Sequence, residues 1–465
     1  MAMGKRDTEQ QQDLFVTHDK LPRSPGHVFY DKLNGVLRDG GFDAHIEAVC
    51  EPFYAKGKGR PSVPPGVYFR MLLVGYFEGI NSQRGIAWRC SDSLSLRKFL
   101  GVPLGEDSPD HSSLSYIRNR LPLEVHQDVF VWILALAHEK NLLKGKTVAV
   151  DSTTLEANAA MKSIIRRETG EDWNAYLTRL MREEGLLEGR DDPPSRDELR
   201  RFDKSRENKR VSNDEWMSKT DADSRIMKMK DGTTHLAYKA EHVVDLDTEI
   251  IIAAEIYHAT EADTQTLEDS LNAAQTNQSE AGSEQQITDA VADKGYHANE
   301  QLTTLHEQTP YRTYIPEPEL KHQRVWTDKP PEQKEAVYAN RRRTRGERGK
   351  KLQRLRSEKT ERTFAHVCET GGARRTWLIG IHKLRKRYLI SAAAHNLSVL
   401  MRVLFNMGTP KGLQQFRTDL EEVLSSLYLA WLAVMACATS WCRLPSLQYK
   451  SSATSPRAER LALAG

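Results

Sequence analysis

Residues 146–157 read Lys-Thr-Val-Ala-Val-Asp-Ser-Thr-Thr-Leu-Glu-Ala, and the organisation of the chain turns on them. Upstream, from His27 to Leu143, the text has the spacing of helices. Here it changes to a short apolar run, Val148-Ala149-Val150, that ends in Asp151. A brief β-branched run of this kind reads as a buried strand. A carboxylate at its end stands at the edge of a sheet. Its small polar neighbours, Ser152 and Thr153, leave room for a ligand to approach.

Downstream, residues 161–220 carry 14 basic and 14 acidic residues. So balanced a charge run reads as a solvent-facing helical excursion, broken at Pro193-Pro194. Strand text resumes at His235, where HLAYKAEHVVDLDTEIIIAAEIYHA places two β-rich runs around the turn Asp245-Leu246-Asp247-Thr248. ADTQTLEDSLNAAQ follows as a helix, QQITDAVADKGY as a third β-like run ending at Asp293, HANEQLTTLHEQ as a helix and YRTYIPE as a short strand. From Glu332 to about Phe405 the pattern is helical. Strands alternating with helices in this way give an α/β class for residues 145–405.

Upstream of the strand, residues 1–25 read as a disordered lead and 26–144 as an all-α domain. Pro65 opens PGVYFRMLLVGYFEGI, with proline in the first turn where its missing N–H costs little. SPDHSSLSYIRNRLP offers Ser108 or Asp110 as helix N-cap. Short helices with turns between them suit a helix-turn-helix module and a generic bundle equally. Beyond residue 405, 406–465 reads as a helical tail. Its apolar stretch Leu424–Trp441 has the three-and-four spacing of a helix with one buried face, diluted by serine and threonine, and is expected to pack rather than to span a membrane.

Bulk properties exclude more than they assign. A chain of 465 residues has room for about three domains. Its formal net charge of +3 does not mark a nucleic-acid partner, so local charge has to. The five cysteines, Cys50, Cys90, Cys368, Cys437 and Cys442, are scattered and form no CxxC pair, which excludes a disulfide framework or a cysteine zinc site. Met1–Gln12 is polar and carries no secretory signal, so a cytoplasmic location is expected.

Three carboxylates carry the chemistry. Cleaving a phosphodiester requires an activated oxygen in line with the leaving oxygen and neutralisation of charge at phosphorus. Two Mg²⁺ ions about 3.5–4 Å apart do both. Mg²⁺ takes oxygen ligands from a few carboxylates. Asp151 and Asp293 each follow an apolar run, and Glu361 lies on the predicted helix LQRLRSEKTERTFAHV. Taken singly, each has an ordinary role: a strand-end Asp caps the next helix, and a Glu on a basic helix pairs one turn away. Taken in order, two strand-end aspartates and a late glutamate suit one metal site. The surrounding charge agrees, since residues 341–362 hold eleven Lys/Arg and three Glu. That density repels itself unless a polyanion neutralises it.

At Val-Asp-Ser-Thr-Thr (150–154), Ala-Asp-Lys-Gly-Tyr (292–296) and Glu-Arg-Thr-Phe-Ala-His (361–366), the chain resembles bacterial insertion-sequence transposases of the DDE class. Pro109–Arg118, Asp231–Ala240, Glu369–Arg375 and His395–Leu397 add to the resemblance, which runs over roughly residues 25–405. It implies an RNase H-like mixed-sheet catalytic domain at 145–405 with 161–220 as a helical insertion, preceded by a helical DNA-binding domain at 26–144. It implies Asp151, Asp293 and Glu361 as catalytic ligands of two Mg²⁺ ions, with Mn²⁺ as substitute. Expected partners are double-stranded DNA, as terminal inverted repeats and target, and a second copy of the chain. Lys294, Arg354, Arg356, Arg362, Arg374 and Arg375 are the candidate DNA contacts. The expected reaction is cleavage at the element ends followed by strand transfer. The alternatives are a nuclease that cuts without joining and a decayed transposase that only binds DNA. One departure stands out. Where many relatives carry Tyr, Arg and Lys around the glutamate, this chain has Arg354, Ser357 and Cys368.

Overall fold

The computed structural model describes residues 25–410, apart from 57–58, 60–61, 191, 207–212, 230–231, 320–325 and 328, together with residue 428. The expected disordered lead (all but its last residue) and the apolar 424–441 stretch (all but Tyr428) lie outside the described residues.

Seven helices come first: α1 (Pro25–Asp39), α2 (Phe42–Cys50), α3 (Pro65–Glu78), α4 (Gln83–Asp92), α5 (Leu94–Leu100), α6 (His111–Arg120) and α7 (Leu123–Glu139). α3 starts at Pro65 and stops at Gly79, whose φ of 70° lets the chain turn out of the helix. Of the two caps offered for α6, the fold uses Asp110, whose carboxylate accepts the Ser112 N–H at 2.7 Å.

Strand β1 (Thr147–Glu156) follows. It does not end at Asp151, as the apolar run suggested, but continues for five more residues. Antiparallel pairing with the strand Thr234–Asp245 holds it extended out to Glu156, opposite Ala237. Unbroken burial runs only through Val150, with Ser152–Thr154 half-buried beyond it, which is why the sequence pattern broke there. The charged excursion is also not purely helical. Helices α8 (Trp173–Glu183) and α9 (Arg196–Ser205) are flanked by β2 (Ile164–Arg166) and β3 (Trp216–Ser218), which pair into a two-stranded sheet. Three-residue strands are too short to leave a periodic signal. α9 starts just after Pro193-Pro194, where Ser195 and Glu198 form a capping box.

The main sheet is completed by β4 (Arg225–Lys228), β5 (Thr234–Asp245), β6 (Ile251–His258), β7 (Asp289–Val291) and β8 (Arg312–Tyr314). Its order is β5-β1-β7-β8, with β4 and β6 both pairing with β5. β1 is antiparallel to β5 and parallel to β7, and β7 is parallel to β8. The sheet is therefore mixed. Between strands run α10 (Asp263–Glu280) and α11 (Asn299–Gln308), and after β8 come α12 (Pro331–Arg345), α13 (Glu347–Phe364), a π-helical turn over Ala365–Thr370 and α14 (Ile381–Phe405).

α13 lies on one face of the sheet, where Leu352 joins Ala149, Leu246, Val291 and Tyr314 in a buried cluster. α10 packs against β1, β5 and β6. α14 contacts α3, α7 and β6, and so joins the helical part to the sheet. By length and composition α14 could cross a membrane, but 78% of its apolar stretch is buried inside the protein. It is the core helix of this fold.

Candidate active site

Side chains alternate across a strand, so Ala149 and Asp151 share the face that α13 covers. Parallel pairing of β1 and β7 ends at Ala149 opposite Val291. Two residues further on, Asp151 and Asp293 leave the paired region side by side. Asp293 caps the turn after β7, its Oδ1 accepting the Gly295 N–H at 2.7 Å. The two carboxylates feel each other: the Asp293 charge is one of the influences raising the Asp151 pKa.

Asp151 is held from above by α13. Its Oδ2 accepts from Arg356 Nη1 at 2.9 Å and from Thr360 Oγ1 at 2.8 Å, and Oδ1 takes its neighbour Ser152 N–H at 2.9 Å. Burial pushes the carboxyl above the ordinary aspartate range, and the Arg356 guanidinium only partly offsets this. On the same face, opposite Asp151 in β5, His242 stacks on Phe364 with ring centroids 4.1 Å apart and hydrogen-bonds Tyr388 at 2.8 Å.

Glu361 is on α13, as read from the sequence, but Thr360 is the residue that faces Asp151. One residue turns a helix by about 100°. Glu361 is exposed, and its Oε1 accepts from Ser357 Oγ at 3.1 Å. The structure thus brings Asp151 and Asp293 together and leaves Glu361 one step along the helix from their contact. Among the described residues, no group of three or more His, Cys, Asp or Glu side chains stands together to hold a metal ion. The inner face of α13 carries Leu352, Gln353, Arg356, Thr360, Thr363 and Phe364. That three-and-four spacing is visible in the sequence and could have shown that Glu361 flanks this face.

The candidate DNA contacts separate by environment. Lys294 and Arg354 are exposed. Arg356 is committed to Asp151, with 15% of its side chain accessible. Arg362 pairs with Glu249 and Glu358. Arg374 binds Glu369, Thr153 Oγ1 and the Thr154 carbonyl, and so ties the segment after α13 to β1. Arg375 lies 5.5 Å from the ring of Trp377, which is 52% exposed. Sequence reading missed Trp377. An aromatic side chain beside two arginines was the signal that could have found it. Cys368 is buried against Tyr388, its thiol pushed up to about 11 by desolvation.

The two aspartates are donors of the kind a hard divalent ion takes, carboxylate oxygens from a strand and a turn. In this structure the positive charge facing Asp151 is the Arg356 guanidinium.

Two domain families match this chain, and both are transposase domains. One, described as Transposase domain (DUF772), covers residues 16–120, and the other, Transposase DDE domain, covers residues 317–401. Both matches support an insertion-sequence DDE transposase. Searches of curated proteins and of solved structures each returned no match.

Proposed function

We propose that the protein cuts the ends of its mobile element and joins them to target DNA, using Asp151, Asp293 and Glu361. The observation that carries this reading is the convergence of Asp151 and Asp293 at one end of the β1–β7 pair, under a helix from the matched DDE region. The strand order, with a central β1 antiparallel on one side and parallel on the other, supports an RNase H-like reading of the sheet.

Asp151 and Asp293 would hold Mg²⁺, and Glu361 would join them by exchanging its contact with Ser357 for the ion. Bound there, Mg²⁺ supplies charge neutralisation and lowers the pKa of the attacking oxygen. The chain's own residues do the rest. Thr360 and Arg356 orient Asp151, and the Gly295 N–H orients Asp293. Lys294, Arg354, Arg374 and Arg375 meet phosphates, with Arg362 available once it leaves Glu249. Hydrolysis breaks the P–O3′ bond and frees a 3′-OH. That hydroxyl then attacks a target phosphodiester, forming one P–O bond as another breaks. Joining two ends at once calls for two copies of the chain on DNA, acting on the chromosome in the bacterial cytoplasm.

The test uses labelled element ends with Mg²⁺. Asp293→Ala is expected to lower cleavage at least about 100-fold, about 2.7 kcal/mol of barrier. Equal cleavage by both proteins would remove Asp293 from the mechanism. One observation favours the non-catalytic alternative: the Glu361 carboxylate is engaged by Ser357 and stands outside the aspartate pair. Duplex binding by the wild type with no Mg²⁺-dependent product would establish that alternative.

A further inference from the structure

Behind the candidate site, on the opposite face of the sheet, lies a charged cluster that the mechanism above does not use. Ser152, Lys239 and Glu241 alternate onto that face, because Ser152 pairs with Glu241, and Thr154 with Lys239, across β1 and β5. Glu241 is fully buried, and Lys239 has 9% of its side chain accessible. Glu241 accepts from Tyr296 OH at 2.8 Å, Thr266 Oγ1 at 2.8 Å and Ser270 Oγ at 2.5 Å. Lys239 Nζ donates to Asp263 Oδ1 at 3.0 Å, Thr266 Oγ1 at 2.8 Å and the Glu261 carbonyl at 3.2 Å. Asp263 Oδ1 also accepts from Ser152 Oγ at 3.0 Å. One chain of hydrogen bonds therefore runs from Ser152, next to Asp151, to Tyr296, three residues after Asp293.

The other end of the Asp263 carboxylate completes the connection. A Cβ placed on Gly295 would lie 2.9 Å from Asp293 Oδ1 and 3.0 Å from Asp263 Oδ2. Both carboxylates thus border the same small space, and only glycine leaves it open. Asp263 and Glu241 flank a single ammonium, Lys239, and Asp293 stands beyond Asp263 across the Gly295 turn. Without that ammonium, Asp263 would repel Asp293 across the Gly295 turn. Apolar residues would fill this volume at lower desolvation cost, so a buried ion cluster here points to a positional role.

We propose that Lys239, Glu241 and Asp263 are positioning residues, a buried brace that sets Asp293 against Asp151, with Ser152 and Tyr296 as its two ends. The proposal rests on the reading of the two aspartates as cation ligands. The brace touches neither DNA nor ion. It acts through the turn and through Ser152, fixing the separation of the two carboxylates before a cation arrives, so its loss weakens metal binding more than DNA binding.

The experiment compares wild type, Lys239→Met, Lys239→Arg and Ser152→Ala. Three quantities are measured: Ca²⁺ affinity of the DNA-free protein by calorimetry, the Mg²⁺ concentration for half-maximal cleavage, and affinity for a duplex carrying the element end. Lys239→Met is expected to weaken Ca²⁺ binding and raise the Mg²⁺ requirement by about tenfold or more, the range for groups that orient metal ligands. Lys239→Arg recovers part of the loss, and Ser152→Ala gives a smaller shift in the same direction. Duplex affinity stays within about twofold of wild type, as expected when no phosphate contact is removed. Unchanged Ca²⁺ affinity in both Lys239→Met and Ser152→Ala overturns the proposal. Should Lys239→Met fail to fold, Ser152→Ala decides alone, since it cuts the chain at its outer end without stranding a buried charge. A wild type that neither binds Ca²⁺ nor cuts with Mg²⁺ overturns the functional reading, and the brace with it. Failure of the brace alone shows only in the variants.

Discussion

Asp151 is a carboxylate that burial makes reluctant to ionise, beside a second carboxylate and opposite one guanidinium. Its pKa is raised, so protonation of Asp151 favours the fold, and that stability is lost as pH rises through the folded value. A cation needs the ionised form. Proton competition therefore reaches to higher pH than at an ordinary aspartate, near about 3.9. Arg356 is the main influence opposing the shift. Arg356→Met is expected to move the acid limb of Ca²⁺ binding to higher pH, measured by calorimetry across a pH series. A limb that stays in place would show that Arg356 does not support the Asp151 charge.

At the scale of elements, α3 and α7 are joined by a histidine that burial keeps neutral well below the usual imidazole range. His126 is fully buried; its Nδ1 donates to the Pro122 carbonyl at 3.0 Å and its Nε2 accepts from Tyr68 OH at 3.1 Å. Desolvation lowers its pKa to about 3. In the unfolded chain a histidine titrates near about 6.5. A depressed histidine costs stability as pH falls below that value, because only the unfolded form gains the proton. Between pH 7 and 4.5 the loss is about 2–3 kcal/mol for this residue. His126→Gln is expected to be less stable at pH 7 and to lose correspondingly less on acidification. Urea unfolding at the two pH values measures both, and an equal acid loss in wild type and variant would count against the argument. On α13, Glu361 adjoins the inner face but is not on it.

At the scale of the compact unit, the helical part meets the sheet part in close contact where α3 reaches the π-helical turn. A Cβ on Gly371, just after the π-helical turn, would lie 2.5 Å from the buried Tyr76 ring of α3. A Cβ on Gly79, at the end of α3, would lie 2.8 Å from the Thr370 carbonyl. With α14 in contact with both parts, the described residues between 25 and 410 belong to one compact unit. We expect this unit to unfold in a single calorimetric transition. Gly371→Val, which forces Tyr76 aside, should lower its midpoint and split the helical part from the sheet. A variant that still unfolds in one transition at the wild-type temperature would contradict the docking argument.

Local chemistry determined much of this protein before any folding was considered. Pro65 and Gly79 bound α3, Asp110 caps α6, and the Asp245–Thr248 turn separates two strands, because each depends on residues within a few positions of itself. The same local legibility marked Asp151 and Asp293, which follow apolar runs, and placed Glu361 on a helix. Contacts between distant segments decided the rest. Pairing with β5 carried β1 past Asp151, and the packing of α13 presented Thr360 and Arg356 to that carboxylate in place of Glu361. The Lys239–Glu241–Asp263 cluster has no signature along the chain, since its members are neighbours only once β1, β5 and α10 are assembled. A side chain's direction and its charged surroundings are properties of the assembled packing, and linear order does not encode them one residue at a time.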